Sequence, residues 1–169
     1  MKKPLVIALI GSLLALLVAC GDDDNGSGPP ADVSGVYSVS ITNTNNDCQY
    51  ANWTIGNTAQ NIEFDVTENG AAASGNVKGL ANIYFAVLGI GTLTGNVSGA
   101  SASMTAVGTT PVHKDSCTYT VRATANFTLT GNTINGSMVY TNETNHDPSC
   151  GILSTCSSTQ SIAGSRPPK

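Results

Sequence analysis

The side chains best suited to chemistry fall in three groups. His113-Lys114-Asp115 and His146-Asp147 each set an imidazole within two positions of a carboxylate. Such pairs are ingredients of a general acid–base site or, with His113 and His146 acting together, of a metal site. The third group is Cys48, Cys117, Cys150 and Cys156. These contain no Cys-X-X-Cys pair, the spacing that thiolate zinc sites use, so they read as disulfide partners rather than metal ligands. Asp147-Pro148 is ordinary turn chemistry, and loop His and Asp are usually solvated. The chain also holds no Gly-X-Ser-X-Gly, His-Glu-X-X-His or phosphate-cradling glycine loop. The expectation is a protein without catalysis, bound metal or cofactor, with His113 and His146 as the candidates against that reading.

Composition narrows the scaffold that must position these groups. The chain has 169 residues, about one domain. It has seven Lys plus Arg against eleven Asp plus Glu, with no basic cluster beyond Lys2-Lys3. That removes the electrostatic footprint of a nucleic-acid binder. Ser, Thr, Asn and Gly abound while the helix formers Glu, Lys and Gln are scarce, which argues against a helical bundle.

From Val33 onward the apolar period is two. Three segments read as hairpins with two-residue turns. A turn at Asn69-Gly70 sets Val66 opposite Ala73, Phe64 opposite Gly75 and Ile62 opposite Val77. One at Gly99-Ala100 sets Val97 opposite Ala102, Gly95 opposite Met104 and Leu93 opposite Ala106. One at Gly131-Asn132 sets Leu129 opposite Ile134, Phe127 opposite Gly136, Ala125 opposite Met138 and Ala123 opposite Tyr140. In each case apolar residues and Gly share one face and polar residues the other, an agreement that a one-residue slip would destroy. Large residues repeatedly face Gly or Ala, as the inner side of a tightly curved sheet requires. With a strand at each end, eight strands are expected, at 33–43, 61–67, 71–79, 92–98, 101–107, 117–130, 133–141 and 156–165. The fold class is all-β: an eight-stranded antiparallel up-and-down meander barrel, or else a two-sheet β-sandwich. Several strands of about seven residues are short of the nine to eleven that a membrane-spanning barrel needs, and aromatic girdles are absent.

The first residues read as an address. Lys2 and Lys3 precede an uncharged apolar run from Leu5 to Ala19, too short to span a bilayer but suited to a secretory signal. The run ends Leu17-Val18-Ala19-Cys20, which resembles the bacterial lipobox. The resemblance implies a signal peptide over 1–19 and cleavage before Cys20, whose thiol carries diacylglycerol, with a further acyl chain such as palmitate giving stable anchoring. Residues 20–32, including Gly21-Asp22-Asp23-Asp24 and Pro29-Pro30, have no apolar side chain before Ala31 and read as a tether that reaches roughly 40 Å when stretched. In enterobacteria an Asp after the lipidated cysteine favours inner-membrane retention. Gly21 holds that place here, so the resemblance leans toward the outer membrane. The barrel domain is expected over 33–166.

The three tight turns lie at one end of such a barrel. The long connections at 44–60, 80–91, 108–116 and 142–155 lie at the other, with all four body cysteines and both histidines. In an oxidising envelope compartment, two disulfides follow. By spacing, Cys150 with Cys156 clamps one loop and leaves Cys48 to meet Cys117, which is the pairing expected first. Strand adjacency in a closed barrel instead pairs Cys48 with Cys156 and Cys117 with Cys150. The apolar run Leu80–Ile90 is expected as an extra strand or short helix completing the core, with a lid over the mouth or an exposed patch as the other readings.

The meander resembles the calycin group, lipocalins and avidins, over the body from Val33 to Arg166. Gly35-Val36-Tyr37 stands where lipocalins carry Gly-X-Trp, and Arg166 is placed to close over that aromatic by a cation–π contact. The resemblance implies a barrel holding a small hydrophobic or neutral ligand, with Tyr37, Phe64, Met104, Phe127, Met138 and Tyr140 as candidate lining residues. The rival expectation is a structural or adhesive surface module that has no ligand cavity and presents its loops or its Ser/Thr wall to a partner.

Overall fold

The structure, a computed structural model, describes residues 30–79 and 81–169. The expected signal peptide, Cys20 and the tether as far as residue 29 lie outside the described residues. In chain order the elements are β1 (Gly35–Asn46), β2 (Thr58–Asn69), β3 (Ala72–Val77), helix α1 (Ala81–Val87), β4 (Leu93–Ser98) and β5 (Ser101–Val107). These are followed by β6 (Val112–Lys114), β7 (Cys117–Thr130), β8 (Thr133–Thr144), a short 3-10 helix (Pro148–Ser154) and β9 (Ser158–Ser165). Eight strands close an antiparallel barrel in the order β1-β2-β3-β4-β5-β7-β8-β9, with β9 returning to β1. The sandwich alternative is excluded by this closure. The ninth strand, β6, lies outside the ring as a short hairpin on the start of β7; the alternation gave no sign of it.

Alternation decides which face is inside. Tyr37, Val39, Phe64, Val66, Leu93, Met104, Ala125, Phe127, Ile134 and Met138 are all buried. The outward phase carries Ser, Thr and Asn in cross-strand pairs such as Ser103 with Asn126 and Thr105 with Thr124. An apolar interior and a polar outer wall are the reverse of a lipid-facing barrel.

The hairpin at Gly131-Asn132 has the expected register over all four pairs. The one at Gly99-Ala100 has it at Val97–Ala102 and Gly95–Met104. The first hairpin differs. Asn69 pairs with Ala72, so the turn residues are Gly70 and Ala71, and Phe64 pairs with Val77 rather than Gly75. The frame moves by two residues, which keeps every side chain on its face. The ring of Phe64 still covers Gly75, where an added Cβ would stand 2.8 Å from its carbons.

Three inward-facing glycines set the curvature. A Cβ on Gly95 would collide with the carbonyl oxygen of Ser103, one on Gly136 with that of Asn126, and one on Gly164 with that of Ser38. At these points neighbouring backbones approach too closely for any side chain, the device by which a sheet is kinked into a narrow barrel.

The chain enters at the tight-turn end. Ala31 N–H donates to Gly99 O at 2.7 Å, and Val33 is fully buried. Hence the last tether residues are fixed on the barrel rather than free. Arg166 locks this end with the contact that the resemblance implied: its guanidinium sits 5.5 Å from the Tyr37 ring centroid and donates to the carbonyls of Asp32, at 2.8 Å, and Ser34. The Tyr37 hydroxyl donates to Val33 O at 2.7 Å.

Adding one methyl group should separate these glycines by function. Gly95→Ala and Gly136→Ala are each expected to cost at least about 2 kcal/mol through overpacking against backbone. Gly91→Ala, where nothing lies within 4 Å of the new Cβ, should change stability by no more than about 0.5 kcal/mol. Urea unfolding followed by the fluorescence of Trp53, the one tryptophan, measures all three.

Candidate functional site

The end away from the tether is built from four connections, residues 47–57, 78–92, 108–116 and 145–157. Two disulfides clasp it: Cys48–Cys156, with Cα atoms 5.0 Å apart, and Cys117–Cys150, at 4.8 Å. The pairing expected first from spacing, Cys150 with Cys156 and Cys48 with Cys117, does not occur. Barrel closure decides the matter. Asn46 pairs with Ser158 across the β1–β9 seam, so Cys48 and Cys156 leave adjacent strands side by side. The 3-10 helix brings Cys150 against the first residue of β7. Both bridges are buried with Leu153, and Tyr50 and Tyr119 pack against them.

Beneath the bridges the interior turns polar. The Tyr50 hydroxyl donates to Asn142 Oδ1 at 2.8 Å, and Asn142 Nδ2 donates to Leu153 O at 3.3 Å. Tyr140 O–H donates to Gln160 Oε1 at 2.8 Å, Gln160 Nε2 to Asn43 Oδ1 at 2.7 Å, and Asn43 Nδ2 to Thr54 O at 3.0 Å. The chain of bonds thus runs from the barrel interior to the 47–57 connection. Trp53 closes the mouth, edge-on to Tyr140 with centroids 5.4 Å apart and 5.9 Å from Tyr50. Sequence reasoning missed Asn142 and Gln160. Their signal was their position, on the inward phase of β8 and β9 where the alternation elsewhere places apolar residues.

The six candidate lining residues, Tyr37, Phe64, Met104, Phe127, Met138 and Tyr140, all face inward and are at most 8% exposed. They join one continuous core. Phe64 and Phe127 meet edge to face at 6.1 Å, and a Cβ on Gly75 would touch both Phe64 and Met104. Two concavities among the described residues lie outside the barrel. One is a trough of about 420 Å³ on the outer wall, lined by Asn96, Ala102, Ser103, Asn126, Phe127 and Asn135 among others. The other, about 300 Å³, runs beside α1 past Lys78, Asn82, Phe85 and Ile90.

The two histidines belong to different elements. His113 lies on β6, its Nδ1 3.1 Å from Thr118 Oγ1, and Asp115 occupies the β6–β7 turn with a φ of 54°. His146, at φ 60°, follows β8 on the far side of β7. Asp147 caps the 3-10 helix by accepting the Ser149 N–H at 2.8 Å. Bonds from the Ser149 hydroxyl and N–H hold its carboxyl below the ordinary value. Among the described residues no group of three or more His, Cys, Asp and Glu is arranged to hold a metal ion.

The Leu80–Ile90 run combines two of its expected forms. It carries the short helix α1, which buries Phe85 and leads into buried Ile90, while Ile83, Tyr84 and Val87 stand exposed. Comparison of the chain with known protein families, with characterised proteins and with solved structures found no match.

The two tyrosines at the mouth make stability fall in alkali. Burial raises the Tyr50 hydroxyl to about 12, against which its bond to Asn142 works, and burial raises Tyr140 further. The folded state therefore keeps protons that the unfolded chain releases near pH 10, so the contribution is intact below pH 10 and lost as pH rises above it. Urea midpoints between pH 9 and 11 should fall, and Tyr50→Phe should flatten the decline.

Proposed function

We propose that this chain is a non-enzymatic, lipid-anchored protein of the bacterial cell envelope, held in the outer membrane rather than the inner. Its barrel serves as a filled scaffold that presents the disulfide-clasped loop end to a partner. The lipobox run ending at Cys20 and the polar tether after it support the anchor. The paired cysteines suit an oxidising compartment. Chain entry at the tight-turn end points the long loops away from the membrane that holds the lipid.

The observation that carries the scaffold reading is the axial packing. Phe64, Met104, Phe127 and their neighbours take the space that a small hydrophobic ligand, implied by the lipocalin resemblance, would need. Such a ligand would have to displace well-packed side chains. The loop end, by contrast, is stiffened by two bridges, each contributing about 2–4 kcal/mol, and three of its residues, Gln49, Asp115 and His146, hold left-handed backbone. Strain of that kind persists where the surrounding structure over-determines it.

Two measurements test the reading. The intact mass of the mature protein, unreduced, should equal the chain from Cys20 with the diacylglyceryl group, a further acyl chain and four fewer hydrogens, and Cys20→Ser should abolish the lipid mass. Titration with an apolar fluorescent probe should give no saturable quenching of Trp53. One-to-one binding weakened by Phe127→Ala but not by exposed substitutions would replace the scaffold by a ligand-holding barrel.

A further inference from the structure

We propose that the native bridges are reached by thiol–disulfide exchange out of the opposite pairing, which makes a thiol-bearing exchange catalyst a partner of this chain while it folds.

The connectivity is nested. Cys48–Cys156 spans 108 positions and encloses Cys117–Cys150, which spans 33. Two orderings favour other bridges. Cys150 and Cys156 stand six positions apart. The entropy lost on closing a loop grows with its length, so encounter in the unfolded chain favours this pair roughly tenfold over Cys117 with Cys150. Its formation leaves Cys48 to Cys117. Order of appearance favours the same set. On a chain delivered from its N-terminus, Cys117 reaches Cys48 before either of their native partners has emerged. This second ordering rests on the secretory reading above, and the first does not.

The closed barrel refuses that set. Cys117 is the first residue of β7, and Cys48 follows the end of β1. In the ring, β9 and β8 stand between β1 and β7. Neighbouring strands lie about 4.8 Å apart, so three steps round the ring exceed the ~7 Å that a bridge can span between Cα atoms. A Cys48–Cys117 bridge would draw β1 onto β7, in the place where β9 and β8 have to lie. The β1–β9 seam then cannot form. Exchange therefore precedes closure, and closure ends it: all four cysteines are at most 7% exposed in the folded chain.

With both wrong bridges made, the four body cysteines hold no thiol, and the attacking thiolate has to come from outside. It attacks Cys150 Sγ, which breaks Cys150–Cys156, forms a mixed disulfide and releases the Cys156 thiolate. Cys156 attacks Cys48 Sγ, which breaks Cys48–Cys117, forms Cys48–Cys156 and releases the Cys117 thiolate. Cys117 attacks Cys150 Sγ in the mixed disulfide, which forms Cys117–Cys150 and returns the external thiolate. Each bond broken is matched by one formed, so no oxidant or reductant is consumed.

The test uses the mature chain carrying Cys20→Ser, with bridges mapped by peptide mass spectrometry without reduction. Oxidation of the reduced chain by dissolved oxygen in buffer should produce Cys150–Cys156 first. Chain oxidised in urea until no thiol remains, then returned to buffer, should hold that pairing. Reduced glutathione should convert it to the native bridges at least about tenfold faster than buffer alone. The double variants Cys117→Ser/Cys150→Ser and Cys48→Ser/Cys156→Ser each have one bridge to make, and neither should need glutathione to make it. Direct oxidation to the native pairs, with Cys150–Cys156 absent at every time point, overturns the proposal. So does conversion at one rate with and without glutathione, or a glutathione requirement that persists in both double variants. None of these outcomes depends on acylation of Cys20.

Discussion

Closing eight strands into a narrow barrel depends on backbones approaching one another without side chains between them. Gly95, Gly136 and Gly164 supply those points on three strands, and Gly75 provides the hollow in which the Phe64 ring and the end of Met104 lie. The curvature and the filling are therefore one feature. Where a strand gives up its side chain, the ring or thioether of a neighbour takes the volume. A core with few large residues can then be continuous. Phe64, Phe85 and Phe127 with Met104 and Met138 would be meagre for a wide barrel but suffice for this one.

The two ends are finished by different physics. At the tight-turn end, Arg166 spans from the Tyr37 ring to the carbonyls of Asp32 and Ser34, so one side chain both caps the core and fixes the point where the tether becomes barrel. At the other end the strands run beyond the apolar layer, and Asn142, Gln160 and Ser158 occupy inward positions. Their hydrogen bonds with Tyr50, Tyr140 and Asn46 satisfy groups that would otherwise be buried at a cost. Hydrogen bonds alone leave long loops free to open, and it is here that both disulfides are placed.

Much of this was legible in the chain, for identifiable reasons. The hairpin at Gly131-Asn132 was readable pair by pair because turn chemistry and alternation agree there over four rungs. In the first hairpin, Asn69-Gly70 gave the wrong turn while the facing was right, since a shift of two residues preserves every face. Alternation constrains parity, not register. The cysteine pairing eluded a spacing argument because loop length says little about which strands become neighbours; the β1–β9 seam forms only when the barrel closes. The run at 80–90 was recognisably apolar, but its period over so few residues did not distinguish strand from helix. Asn142 and Gln160 were missed for a different reason. A polar residue on an inward phase looks like the end of a strand until the strand is seen to continue.

The filled axis constrains what the interior can admit. A hollow barrel with mobile loops exchanges the contents of its interior with solvent. Here Trp53 lies against Tyr140 at the mouth, and the connection that carries it begins at a bridged cysteine. Opening that mouth would break a part-buried polar network for access to space that Phe64, Met104 and Phe127 already occupy. The same rigidity benefits a surface. Loops that are fixed before contact lose little conformational entropy on meeting a partner, which is the largest avoidable cost of association. A packed barrel and two buried bridges hold these loops in one arrangement.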